Sequence, residues 1–288
     1  MFKRKILSKL EAWKQDERHK PLILRGARQV GKTTVVNEFG SQFDNYLYFN
    51  LEISESVRLF EMDIPLNDLV NMLFASLGKS QKKGSTLIFI DEIQNSPKTI
   101  ALLRYFYEQR PDLYVIAAGS LLENLVDVNV SFPVGRVMYL ALRPCSFYEF
   151  LGAIGKNNLL TILSQKAEYS IAFHEQLMHQ FNQYTIIGGM PEAVQHYAET
   201  QDIIAIEAVY ETLVQAYKDD SEKYARSNKL TDVVRFILSY GWAFSGETIT
   251  LGNFANSGYK SREVGEAFRL LEKAMILELV YPVSSTQM

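Results

Sequence analysis

The chain has 288 residues, 47% of them hydrophobic, and a formal net charge of −3. That length suits roughly two domains with real cores, and the weak acidic balance excludes a global electrostatic attraction to nucleic acid or anionic membrane. One cysteine, Cys145, excludes an internal disulfide framework and fits a reducing cytoplasm. The four histidines show no zinc-ligand spacing, and no apolar run is long enough to span a bilayer, so the expectation is a cytoplasmic protein with no membrane partner.

Taken in order, the chain opens with Ile6, Leu10 and Trp13 at helical spacing, a helix expected to pack beside the first strand. A short apolar strand, Leu22 to Leu24, leads into Gly26-Ala27-Arg28-Gln29-Val30-Gly31-Lys32-Thr33-Thr34. This stretch matches the phosphate-loop pattern G-x-x-x-x-G-K-[ST] at every fixed position. The chemistry needs those residue types at that spacing. Glycines let the backbone curl until its N–H groups face phosphate oxygens. A helix beginning near Lys32 adds unpaired N–H groups and the positive end of its dipole. Lys32 is expected to reach the β- and γ-phosphates and the Thr33 hydroxyl to ligate magnesium. Gly26 to Thr34 is therefore the expected nucleotide-binding segment.

Tyr46 to Leu51 reads as a second strand, apolar enough to be buried in a parallel sheet. Residues 52–84 read as helical, with Leu66, Leu69, Val70 and Leu73 at core spacing, ending in a solvated polar turn from Lys79 to Gly84. Then Leu87-Ile88-Phe89-Ile90 runs into Asp91 and Glu92. A buried strand of this kind delivers acids to its C-terminal tip, the edge where open parallel sheets bind ligands. Downstream of a phosphate loop, Asp91 is the expected magnesium ligand and Glu92 the group that polarises the attacking water.

Thr99 to Tyr107 is a predicted helix, and Leu113 to Ala118 a strand ending in Gly119 and Ser120. Ser120 is a candidate γ-phosphate sensor, with capping of the next helix an equal alternative. Phe132 to Leu140 reads as a loop into a fifth strand. There Arg136 could neutralise developing phosphate charge, in cis or from a neighbouring subunit, or form a structural salt bridge.

Beyond Leu151 the pattern turns helical. Gly188-Gly189-Met190-Pro191 is a rigid turn with proline near a helix start, and Lys218-Asp219-Asp220 is expected to be a solvated turn. The stretch from residue 227 reads as a winged helix. Its first helix carries Leu230, Val233, Val234, Ile237 and Leu238; a short second lies at Leu251 to Ala255, and a third buries Val264, Ala267, Phe268 and Leu271. Met275 to Tyr281 is the expected wing strand. Such folds often read DNA with the third helix, but here Glu263, Glu266 and Glu272 nearly cancel Lys260, Arg262, Arg269 and Lys273.

GARQVGKTT, LIFIDEIQ, the AAGS strand end, FPVGRV with LRPCSFYEFL, and IIGGMPEAV resemble a prokaryotic group of AAA-type ATPases, often called archaeal-ATPase-like, in the same order and over essentially the whole chain. The resemblance implies an α/β P-loop NTPase (AAA-type) parallel-sheet domain over residues 1–150, a helical lid over 151–226 and a winged-helix domain over 227–288. It also implies ATP and Mg2+, with Pro191 contacting the adenine; no N-K-x-D guanine-reading motif is visible. AAA-type ATPases commonly complete their sites between subunits, which leaves a homo-oligomer open. That group usually adds a restriction-endonuclease-like domain, but this sequence ends at Met288 without an E…D…E-x-K constellation, so no nuclease is expected in it. Two functions follow. One is a magnesium-dependent ATPase that couples hydrolysis to movement of its lid and winged helix. The other is a nucleotide-gated switch on DNA or a protein partner, with little turnover.

Overall fold

The computed structural model describes residues 2–119, 133, 135–165, 171–225 and 227–282. Five strands, β1 (Leu22–Arg25), β2 (Asn45–Asn50), β3 (Thr86–Asp91), β4 (Leu113–Gly119) and β5 (Met138–Ala141), form one sheet in the order β2-β3-β4-β1-β5. Every pair is parallel. Parallel neighbours need crossovers, and crossover helices cover both faces of the sheet.

Side chains alternate between those faces with the period of the strand. Ile23, Ile88, Ile90, Val115 and Ala117 join one core with residues of α3 (Ser54–Phe60), α4 (Leu66–Ser76) and α5 (Pro97–Gln109). Leu22, Leu24, Leu87, Phe89, Ile116 and Ala118 join the other, against α1 (Ile6–Gln15) and α2 (Lys32–Gly40). β2 differs from its expected full burial. Its residues alternate buried and half-buried, because it is an end strand with β3 as its one neighbour. The sheet order separates β1 from β3 by β4, so three strand ends, one carrying the loop and one the acids, open on the same edge.

The chain divides into two compact units, Met1–Val209 and Tyr210–Met288. In the first, the sheet is followed by α6 (Phe147–Ala153), α7 (Asn157–Ser164), α8 (His174–Ile187) and α9 (Pro191–Thr200). Leu151, Leu159 and Leu177 form a small core among them. α10 (Ile206–Tyr224) crosses the border between the units.

The second unit holds α11 (Asn228–Tyr240) and α12 (Ser261–Lys273), whose buried faces carry the residues expected for the first and third helices of a winged helix. Three expectations fail here. Lys218 to Asp220 is no turn: α10 runs through it, and Asp220 is buried. The short second helix is a single 3-10 turn, Phe254–Asn256, held by ring contacts of Phe254 with Phe244 and Phe268. Met275 to Tyr281 is not a strand; an apolar run makes a ladder only beside a second strand, and Val280 is 94% exposed. Among the described residues no helix is long and apolar enough to cross a membrane.

Candidate nucleotide site

β1 ends at Arg25, level with Gly119 of β4 and Ala141 of β5, so the following loop leaves from the C-terminal edge of the sheet. Backbone crowding explains the glycine that opens it: a Cβ on Gly26 would lie 2.4 Å from the Leu142 carbonyl oxygen. Gln29 and Gly31 have φ of +61° and +92°. Left-handed residues two apart turn neighbouring N–H groups into one concavity, a nest for anions. α2 begins at Lys32 with no side-chain cap, which leaves its first N–H groups to a ligand. Ala27 and Val30 are buried, Arg28 half-buried, and Gln29 and Thr34 exposed along this loop.

Lys32 is folded beneath the loop, 7% exposed, its amine donating to the carbonyls of Gly26 at 2.8 Å and Ala27 at 2.9 Å. Burial pushes its pKa below the usual lysine value and Arg28 adds to that, while the charges of Glu92 and Asp91 pull it back. Asp91, 3% exposed at the tip of β3, accepts a hydrogen bond from the Thr33 hydroxyl at 2.6 Å. Burial raises the Asp91 carboxyl above its usual value and the Glu92 charge raises it further; the Thr33 hydroxyl and Lys32 oppose them. Hydroxyl and carboxylate come from residues 58 positions apart.

Among the described residues no cluster of three or more His, Cys, Asp or Glu could hold a metal ion. The Thr33–Asp91 pair fits instead a hard cation that keeps most of its ligands as water and phosphate oxygens, as magnesium does.

Glu92 follows directly, and its backbone is left-handed at φ +53°. A non-glycine residue in that region stores strain, and such strain gathers at functional sites. The Gln94 amide donates to the Glu92 carboxylate, while the Gln94 side-chain oxygen is buried with no partner. Ser120, next after β4, lies outside the described residues.

Arg136 goes elsewhere. It precedes β5, at the N-terminal edge of the sheet, and its guanidinium pairs with Glu108 at 2.6 Å. The whole of β5, four residues or on the order of 13 Å, lies between it and the edge that carries the loop. The salt-bridge alternative is the contact observed.

The Gly-Gly-x-Pro turn arrives from the other side of the loop. Gly188 takes φ +76° with ψ −172°, a region open essentially to glycine. A Cβ on Gly189 would lie 2.5 Å from the Cys145 carbonyl oxygen, and the Cys145 N–H donates to the Gly189 carbonyl at 2.6 Å. Pro191 then opens α9 at its first turn, and its ring lies 3.8 Å from the position a Cβ on Gly31 would take. The turn thus sets Pro191 beside the phosphate loop. Burial pushes the Cys145 thiol up to about 12, so it is no nucleophile at neutral pH.

Sequence reasoning missed Arg4, Glu149 and Gln94. Arg4 is 5% exposed and forms an ion pair with Glu149 at 2.9 Å. Glu149 is also the capping-box partner of Ser146 at the start of α6. Burial alone would raise the Glu149 pKa. Hydrogen bonds from the Ser146 and Lys5 backbone and from Arg4 outweigh it, and hold the carboxyl below the usual range. The S-x-x-E spacing of Ser146 and Glu149 was the one signal available.

A parallel sheet with this loop and acidic strand tip defines the P-loop NTPase class. Residues 18–151 match the AAA domain family, and residues 178–288 match a domain of unknown function, DUF8612. No curated protein matches the chain. Among solved structures, the Walker-type ATPase PABY2304 of Pyrococcus abyssi is similar at 16% identity and a TM-score of 0.54, covering 95% of this chain and 90% of that one. PCH-2 of C. elegans (13% identity, TM-score 0.40) covers 73% of this chain and 68% of that one. Drosophila ORC bound to DNA (14%, 0.37) covers 96% and 74%. The AAA match covers the sheet domain, and the likeness to the Pyrococcus structure, at 16% identity, shows a shared fold.

Proposed function

We propose that this protein binds Mg-ATP at the C-terminal edge of its sheet and hydrolyses it to ADP and phosphate. The observation that carries the reading is the Thr33–Asp91 hydrogen bond, which joins the phosphate-loop helix to the acidic strand at one point. Gly26 to Thr34 would hold the phosphates with backbone N–H groups, and Lys32 would exchange its carbonyl partners for β- and γ-phosphate oxygens. Thr33 and Asp91 would hold magnesium, which when bound supplies positive charge beside the phosphates.

Glu92 is the group that orients and polarises the attacking water. Ser120, following the last residue of β4, keeps the role of γ-phosphate contact in this reading. Pro191, beside Gly31, is assigned to the nucleotide, with adenine taken from the family resemblance. Hydrolysis would drive movement of the helical segment after the sheet and of the second unit.

One observation favours the switch reading: the Gln94 amide holds the Glu92 carboxylate, which would slow turnover. Titration with Mg-ATP and steady-state phosphate release separate the two. Tight binding with multiple turnovers supports the ATPase; binding with less than one turnover supports the switch, and no binding removes both.

A further inference from the structure

We propose that Arg4 is a positioning residue for the phosphate loop, aiming the Gly31 N–H at the bound phosphate. The inference rests on the nucleotide reading of that loop. The three guanidinium nitrogens of Arg4 reach three separate segments. Nε donates to Glu149 Oε1 at 2.9 Å, Nη2 to the Arg143 carbonyl at 2.7 Å, and Nη1 to the Val30 carbonyl at 3.1 Å.

The last contact sets a direction. No peptide among the described residues is cis, and in a planar trans peptide the C=O and the following N–H point opposite ways. Holding the Val30 carbonyl toward Arg4 therefore turns the Gly31 N–H away from Arg4. Gly31, at φ +92°, then continues into α2, whose own first N–H groups lack a side-chain cap. Donors fixed before the ligand arrives need no reorganisation when it binds.

Arg4 is itself fixed. Glu149 neutralises it and is anchored by the Lys5 and Ser146 N–H groups, both at 2.8 Å. A lysine keeps the charge but lacks the planar fork, so it cannot serve three partners from one plane. Arg4 also ties the β5–α6 connection, through the Arg143 carbonyl, to the loop that would hold the phosphates.

The test compares the parent, Arg4→Lys and Arg4→Gln for Kd with Mg-ATP and Mg-ADP, for KM and kcat, and for melting temperature. Both variants are expected to weaken Mg-ATP and Mg-ADP by a similar factor, about tenfold to a hundredfold, the range of a misdirected hydrogen bond to a charged group. KM should rise far more than kcat falls. A lower melting temperature with parental Kd would make Arg4 merely structural and overturn the proposal. If both variants fail to fold, 15N-labelled parent decides. Its Gly31 amide resonance should move downfield on adding Mg-ADP, and an unmoved Gly31 amide in nucleotide-bound protein overturns the proposal. A parent that binds neither nucleotide fails the underlying reading instead, a result visible before any Arg4 variant is made.

Discussion

Lys32 and Asp91 are buried together with opposite consequences: burial lowers the one and raises the other, so each charge costs the fold something that a ligand can return. Lys32→Ala removes the side chain that would neutralise the phosphates within a ring of backbone donors. It is expected to abolish Mg-ATP binding, and parental affinity on titration would refute the phosphate-loop assignment. Glu92→Gln keeps size and hydrogen bonding while removing charge. Binding should persist with turnover down about a hundredfold or more, within the range of general-base catalysis. Asp91→Asn should instead raise the magnesium concentration needed for half-maximal turnover.

Glu149 yields a pH prediction. Its folded pKa lies below the unfolded one, so its ion pair stabilises the fold above the unfolded carboxylate pKa. That contribution is lost as pH falls through the depressed folded value. Melting temperatures of parent and Glu149→Gln should therefore differ at neutral pH and converge in acid; a gap independent of pH would show that the charge plays no part.

Among the elements, the turn from Gly188 to Pro191 shows how local geometry is forced from outside. A proline at the first turn of a helix is ordinary, and a glycine-rich turn before it is also ordinary. What makes Gly189 irreplaceable is a neighbouring segment, since its Cα approaches the Cys145 backbone too closely for any side chain. Gly189→Ala is expected to destabilise the protein by about 1–3 kcal/mol, the usual cost of overpacking. It should also weaken ATP binding by shifting Pro191 away from Gly31. Chemical denaturation and nucleotide titration measure the two effects, and a variant as stable as the parent would mean that the turn relaxes without strain. β2 makes a related point from the sheet. Its apolar run suggested burial on both faces, but the sheet order leaves it at an end, and alternation follows.

For the whole molecule, the open question is assembly, and Arg136 is the residue that bears on it. It stands at the edge of the sheet away from the phosphate loop and is engaged by Glu108, which it and Arg104 hold below the usual carboxylate range. Exposed pairs contribute little to stability. Arg136→Ala is therefore expected to keep the parent's turnover with a barely altered melting temperature. A slow mutant, rescued by mixing with Glu92→Gln protein, would instead mean that the arginine completes a neighbour's site. Particle size measured with and without Mg-ATP, alongside phosphate release, distinguishes those outcomes.

Residues whose job depends on a fixed spacing were legible without coordinates. Gly26, Gly31, Lys32 and Thr33 announce themselves because a phosphate cradle needs those types at those offsets, and Asp91 and Glu92 because a buried strand must end before its acids. The helix faces of α1, α4, α11 and α12 were equally readable from periodicity. Partnerships made across long separations were not. Arg4 with Val30 and Glu108 with Arg136 leave no local pattern, since which distant segments meet follows from strand order and core packing. The wing strand failed for the same reason: an apolar run proposes a strand, but only a partner strand at hydrogen-bonding distance makes one.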